Sequence, residues 1–204
     1  FNFHSFGQLI IGGCGGIINT GRSLLGGIKI NTIDYGKYLE KYDETTGLYP
    51  EGLKELGVKY HEKGYLTKGE LYELAHLNST RSSYHVKKNP DARVEKVTEV
   101  AYNLDDEFCQ LALYTSLTGI GTPTASAILT SLNDENHCVI DTRVWATLWR
   151  LGYFVKEKES FKPEDYIKII DVVRKLAADT RFTVAEVGYA LFAYDVVHRE
   201  GNLH

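Results

Sequence analysis

The sequence has no methionine, three cysteines, four prolines and two tryptophans among its 204 residues. The thiols, Cys14, Cys109 and Cys138, are odd in number and widely spaced, with no Cys-x-x-Cys pair. That spacing indicates neither a disulfide framework nor a cysteine zinc site, and it fits a reducing compartment. Because the chain is numbered from Phe1 and lacks methionine, its natural start is expected upstream or processed. No apolar run reaches the ~18 residues that cross a bilayer. The apolar stretch 5–18 has no lysine or arginine before it, which argues against a secretory signal. A cytoplasmic protein with no membrane partner is the expectation. An excess of positive charge is lacking too, since 23 basic residues stand against 27 acidic ones for a net charge of −4. This argues against a general polyanion binder and confines any contact with phosphate to a local basic patch.

What is present is the composition of a globular protein, 43% hydrophobic and 25% charged, long enough for one compact unit or two small lobes. The 14 tyrosines and 8 phenylalanines are candidates for base stacking, although such rings more often fill a core. Residues 1–33 form a Gly-rich arm in which Gly12, Gly13, Gly15, Gly16, Gly21, Gly26 and Gly27 crowd a stretch with no acidic residue. The arm has neither a Gly-Lys-Ser/Thr ending nor a Gly-x-Gly-x-x-Gly register, so a turn-rich segment is read in preference to a nucleotide loop.

Residues 34–204 read as a helical domain. Apolar positions at helical spacing predict helices over 34–44, 50–63, 68–77, 105–117, 163–179 and 183–199, with others after Pro90, after Pro123 and over 142–151. Thr67 followed by Glu70 is a capping box. Pro90, Pro123 and Pro163 suit first helical positions. On the helix after Asp105, Phe108, Leu111, Ala112 and Thr115 share one face; on the next to last, Ile167, Ile170, Val173, Leu176 and Ala177 point inward. Clear strands are missing after residue 34, so the fold class is all-α, with about ten helices.

The informative segment is Leu117-Thr118-Gly119-Ile120-Gly121-Thr122-Pro123-Thr124-Ala125. Gly119 and Gly121 permit a tight turn between two helices, Ile120 plugs the space between them, and Thr122 suits an N-cap. Such a turn presents backbone N–H groups at a helix N-terminus, where a phosphate binds without side-chain charge. An ordinary helix–turn–helix corner is the alternative. Beyond the second helix, Val139-Ile140 leads into Asp141-Thr142-Arg143-Val144-Trp145. About ten helical residues advance ~15 Å, and the next eight can extend ~26 Å, so the chain can return Asp141 to the turn. Asp141 also suits an N-cap, and capping would orient its carboxylate. A carboxylate held beside a sugar can stabilise the positive charge of N-glycosidic bond cleavage.

The two motifs together resemble the helix-hairpin-helix (HhH-GPD) superfamily of base-excision DNA glycosylases. Its pattern is a hairpin L-P-G-(V/I)-G-x-x-T-A followed, about 20 residues on, by V-D-x-x-(V/I). Here Thr122 and Asp141 are 19 positions apart. The resemblance implies a two-lobed helical bundle, double-stranded DNA as the partner and Asp141 as the catalytic acid. It implies DNA contact by Gly119, Ile120, Gly121, Thr122 and Thr124, and a monovalent cation, Na+ or K+, on the carbonyls of Thr115, Leu117 and Ile120. Bifunctional members carry a Schiff-base lysine where this chain has Pro123, so the resemblance implies a monofunctional enzyme with water as nucleophile. Some members hold an iron–sulfur cluster near the C-terminus; no cysteine follows Cys138, so none is expected here. Thr118 departs from the usual hairpin proline.

Residues 78–90 hold Arg81, Lys87 and Lys88 with no acid among them, and these join Arg143 as candidates for phosphate contact. A solvated helix face is the alternative for the first three, and an ion pair for Arg143. Trp145 and Trp149 share a helix face and read as core. Asp195 and His198, three apart, read as structural. The overall expectation is a monomeric, monofunctional DNA glycosylase acting on a damaged or mismatched base. The alternatives are a non-enzymatic hairpin protein that binds DNA, and a helical protein unconnected with nucleic acid.

Overall fold

The computed structural model describes residues 33–199. The Gly-rich arm expected over 1–33 lies, apart from Ile33, outside the described residues. Among the described residues nine α-helices follow one another: α1 Tyr35–Thr46, α2 Tyr49–Lys63, α3 Lys68–Asn78, α4 Asp91–Tyr102, α5 Glu107–Thr115, α6 Thr122–Leu132, α7 Thr142–Arg150, α8 Pro163–Ala178 and α9 Val184–His198, with a 3₁₀ segment Ser83–Lys88 between α3 and α4. The described residues include no strand, and none of their helices is long and apolar enough to cross a membrane.

Local chemistry sets the boundaries. The Thr67 hydroxyl accepts from Glu70 N while the Glu70 carboxylate accepts from Thr67 N at 2.9 Å, the capping box read from sequence. Thr183 and Glu186 repeat it at the head of α9. Asp106 caps α5 through Cys109 N at 2.7 Å. Pro163 takes the first position of α8, as expected, but Pro90 sits one residue earlier, as the cap of α4. The inward face of α5 also differs from the expected one. Leu111 and Tyr114 are buried, whereas Phe108 and Ala112 are exposed. Tyr114 is the reason. Its hydroxyl lies 3.0 Å from that of Tyr60, which donates to Thr98 O at 2.6 Å, so the ring is buried with its polar end satisfied. On α8, Ile170, Val173 and Ala177 are buried as expected, whereas Ile167 and Leu176 are half-buried and Tyr166 and Ile169 complete the inward face.

The helices fall into two groups over a shared apolar core. α9, buried along most of its length, packs against α1, α7 and α8. α6, likewise buried, packs against α2, α3 and α5. The first helix thus joins the last three, and the chain passes out through α2–α6 and returns. This bears out the two-lobed reading and leaves a cleft where α1, α2, α3, α7 and α9 meet.

The α2–α6 crossing depends on Gly57. A Cβ added there would lie 1.8 Å from the carbonyl oxygen of Ser131, a backbone atom that cannot rotate aside. Gly57→Ala is therefore expected to destabilise the protein by about 1–3 kcal/mol or more, read as a lower urea midpoint. Gly69→Ala is the control. Gly69 is exposed, and its added Cβ would meet nothing nearer than 3.9 Å, so this change should be neutral or stabilising. Equal midpoints for the two variants would contradict the close crossing.

Candidate active site and nucleic-acid interface

The hairpin forms as two helices joined by a hydrogen-bonded turn. After α5, Leu117 N donates to Tyr114 O and Ile120 N to Leu117 O, each at 3.1 Å. Gly119 has φ +89°, and a Cβ there would fall 2.8 Å from Val86 N. Glycine is required at this position by dihedral and by space. Gly121 is different: its φ is −92°, and an added Cβ would meet only Pro123 at 3.7 Å. Gly121, not Thr122, is the N-cap, and Pro123 stands second in α6. Thr122 turns inward and donates to Phe161 O at 2.9 Å. Thr124 also turns inward, its hydroxyl accepting from Asn78 Nδ2 at 3.2 Å, and Ile120 is buried as the expected plug. The solvent side of the turn is made by Thr118, Gly119, Gly121 and Pro123. No side chain caps α6, so its N-terminal dipole faces outward unneutralised.

The basic segment packs on this turn. Asn89 is 3% exposed; its Oδ1 accepts from Thr118 N at 2.9 Å, and its Nδ2 donates to Thr118 O at 2.8 Å. The same Nδ2 reaches Val86 O at 2.9 Å. One buried amide thus clamps Ser83–Lys88 to the hairpin, and Arg81, Lys87 and Lys88 stand exposed on or beside the clamped segment. Lys87 Nζ lies 4.3 Å above the Tyr72 ring. Tyr84, 55% exposed, stands against His85 with ring centroids 3.9 Å apart. Nothing in the sequence singles out Asn89, because an asparagine before a proline reads as a turn.

Asp141 caps α7. One carboxylate oxygen, Oδ1, accepts from both Arg143 N and Val144 N at 2.9 Å, which leaves Oδ2 without a protein donor among the described residues. The preceding Ile140 N donates to Ser126 Oγ on α6 at 3.0 Å, so the extended stretch of chain before Asp141 is pinned to the hairpin's second helix. Burial pushes the Asp141 carboxyl up to about 6, against the two backbone N–H groups and the Arg143 charge, which pull it down.

Asp141 opens into a cavity of about 160 Å³. Val139 and Val144 flank it, Tyr42 and Thr46 enter from α1, Tyr49 from the start of α2, Leu77 and Asn78 from the end of α3, and Gly188, Tyr189 and Phe192 from α9. Tyr42 and Tyr189 stack with centroids 4.6 Å apart, while Phe192 meets Tyr42 and Tyr49 meets Tyr189 edge-on. Gly188 is forced by the wall behind it, where a Cβ would lie 2.7 Å from Cys138 Cβ. Tyr49 Oη donates to Asn78 Oδ1 at 3.2 Å, and Asn78 in turn reaches Thr124, so one amide connects the cavity with the first turn of α6. These lining residues come from five helices and the stretch before α7, and no spacing in the sequence announces them.

Of the two expectations for Arg143, phosphate contact or an ion pair, the structure shows the ion pair. The Arg143 guanidinium lies against Asp195 Oδ2 at 3.3 Å and over the Phe192 ring at 5.1 Å, turned in from the surface. Asp195, fully buried, also takes Arg150, and Arg199 at 2.8 Å. The Asp195 carboxylate ties both ends of α7 to the end of α9 and so holds the helix that Asp141 caps. His198 stacks on Tyr194 at 4.1 Å and Trp145 on Phe154 at 4.1 Å, the packing roles expected for both. The described residues hold no cluster of three or more His, Cys, Asp or Glu suited to a metal ion.

No family model matches the chain, and no curated protein matches it. Three solved structures are similar in fold. The 8-oxoguanine glycosylase/lyase of Methanocaldococcus jannaschii, in complex with 15mer DNA containing 8-oxoguanine, superposes with a TM-score of 0.46 at 15% identity, covering 78% of this chain and 88% of that one. The 8-oxoguanine DNA glycosylase of Thermotoga maritima gives a TM-score of 0.44 at 15% identity, covering 80% and 88%. A further structure of the Methanocaldococcus jannaschii 8-oxoguanine DNA glycosylase gives 0.44 at 14% identity, covering 80% and 86%.

Proposed function

We propose that this chain is a DNA repair glycosylase that hydrolyses the N-glycosidic bond of a damaged or mismatched base. The observation that carries the reading is the free oxygen of Asp141 at an aromatic cavity, tied through Ser126 and Asn78 to the helix whose uncapped N-terminus faces solvent. The duplex lies along the turn. Gly119 and Gly121 N–H groups, with the α6 dipole, take one backbone phosphate. Arg81, Lys87 and Lys88 take its neighbours, so a chain of net charge −4 still holds a polyanion on one face. A base that leaves the stack enters the cavity, whose rings cover its faces. Its sugar is then at the cavity mouth beside Asp141. As the bond to the base lengthens, positive charge grows on the sugar; the Asp141 carboxylate stabilises that charge and orients water for attack.

The reaction ends with hydrolysis, because Pro123 carries no amine and no lysine lines the cavity among the described residues. The carbonyls of Thr115, Leu117 and Ile120 are the place for a monovalent cation in this scheme. Leu117 O already accepts the Ile120 N–H, whereas the donors of the turn leave the carbonyls of Thr115 and Ile120 unused. A bound cation would stiffen the turn against the phosphate. An open cavity at Asp141 favours the enzyme over a hairpin protein that only binds DNA, which has no use for a carboxylate in an aromatic pocket.

The test is release of free base from a panel of lesion-bearing duplexes, with an undamaged duplex as control. Release from none of them would overturn the reading. The interface is tested separately. Lys87→Ala with Lys88→Ala should weaken binding to all duplexes alike and lower the slope of log affinity against log salt by about 1 for each phosphate the protein no longer neutralises. An unchanged slope would remove this segment from the interface.

A further inference from the structure

The cavity contains one amide, that of Asn78, and its hydrogen bonds are only half used. An amide has two acceptor sites on oxygen and two donor hydrogens on nitrogen. Tyr49 Oη occupies one site on Oδ1, and Thr124 Oγ1 takes one hydrogen of Nδ2, both at 3.2 Å. The amide is therefore held in one orientation by α2 and α6. One acceptor site and one donor remain on a residue that lines the cavity. The cavity volume, about 160 Å³, is that of a space that holds one benzene-sized ring, since an engineered apolar cavity of about 150 Å³ binds benzene. The stacked pair Tyr42 and Tyr189 closes one side, so a second fused ring has no gap to enter between them.

We propose that the cavity takes a single-ring base, a pyrimidine, whose edge presents a hydrogen-bond donor beside an acceptor to the Asn78 amide. This rests on the glycosylase reading and specifies its substrate class. Uracil-type bases satisfy the amide with N3–H and a neighbouring carbonyl oxygen. Cytosine-type bases satisfy it with the exocyclic amine and N3. A carboxylate at residue 78 only accepts hydrogen bonds, so on either edge it keeps the donor, N3–H or the exocyclic amine, and repels the neighbouring acceptor.

The experiment measures binding of the Asp141→Asn protein, whose base release is slowed, to three duplexes. One carries uracil opposite guanine, one carries 8-oxoguanine opposite cytosine, and one is undamaged. The uracil duplex should bind about tenfold tighter than the other two, the effect of one good bidentate pair. Equal affinity, or tighter binding of the 8-oxoguanine duplex, overturns the proposal. Adding Asn78→Asp should abolish the uracil preference while binding to undamaged duplex keeps its salt dependence. If that double variant does not bind undamaged duplex, Tyr49→Phe decides, because it removes only the hydroxyl that orients the amide and should weaken the preference. An unchanged preference in a folded variant overturns the role of Asn78. A wild-type chain that releases 8-oxoguanine keeps the glycosylase reading and overturns the pyrimidine class. A chain that prefers the uracil duplex but releases no base keeps the class and loses the glycosylase reading.

Discussion

Asp141→Asn is expected to slow single-turnover base release by about 10²–10³-fold, the usual cost of removing one fixed group that stabilises transition-state charge. The change is local. Asparagine is as good an N-cap as aspartate, so its side-chain oxygen can still accept from Arg143 N and Val144 N and keep α7 in place. Duplex affinity, which the proposed function assigns to the hairpin and the basic segment, should be retained. Wild-type release should rise with pH through about 6 and then level, because only the ionised carboxylate opposes the positive sugar. Stability should run the other way. A carboxyl whose value rises from 3.8 to about 6 on folding favours the folded state below 3.8, and that contribution is lost as pH rises through 6. Ionised Asp141 therefore costs about 2 kcal/mol at neutral pH, after allowance for its partial contact with solvent. The asparagine variant should melt higher than wild type at pH 7 and no higher near pH 4. Full activity in a folded Asp141→Asn protein would end the proposed role of this carboxylate.

Asp195→Ala is expected to lower stability by about 3–5 kcal/mol, the cost of breaking a buried ion pair from one side. Asp195 is fully buried and serves Arg143, Arg150 and Arg199. Without it, three guanidinium groups face one another with no anion between them. Single arginine replacements should cost less. The Arg150 and Arg199 side chains retain 29% and 27% of their exposure, so water already shares their charge, and Asp195 keeps two partners after either is lost. Chemical denaturation of Asp195→Ala, Arg150→Ala and Arg199→Ala checks the order. Similar, small losses for all three would mean that the cluster is solvated. Loss of Asp195 should also free Arg143 from the position where it faces Phe192, a cavity wall. Base release by whatever fraction of Asp195→Ala remains folded should therefore fall too.

Much of this was legible in the sequence for reasons local to the chain. Helices α1–α9 lie close to where apolar spacing puts them, because that spacing is the imprint of a buried face on a 3.6-residue repeat. Thr67 with Glu70, and Pro163, mark helix starts through bonds that span only a few residues. The hairpin and Asp141 could be located because both depend on backbone geometry written into a short run: a positive φ at Gly119, and a capping carboxylate before α7. What only the tertiary structure decided is which distant side chains meet. Tyr42, Asn78 and Tyr189 lie on three different helices, and they form one pocket because α9 packs between α1 and α7. Asn89 reads in the sequence as a residue before a proline, and the fold makes it the clamp on Thr118. Arg143 reads in the sequence as a cation for phosphate or for an ion pair, and the fold decides for the pair by bringing Asp195, 52 positions later, beneath it. A sequence records what each helix buries. Which helix lies opposite, and so whether a tyrosine becomes core or pocket and an arginine free or paired, is fixed only when the whole chain packs.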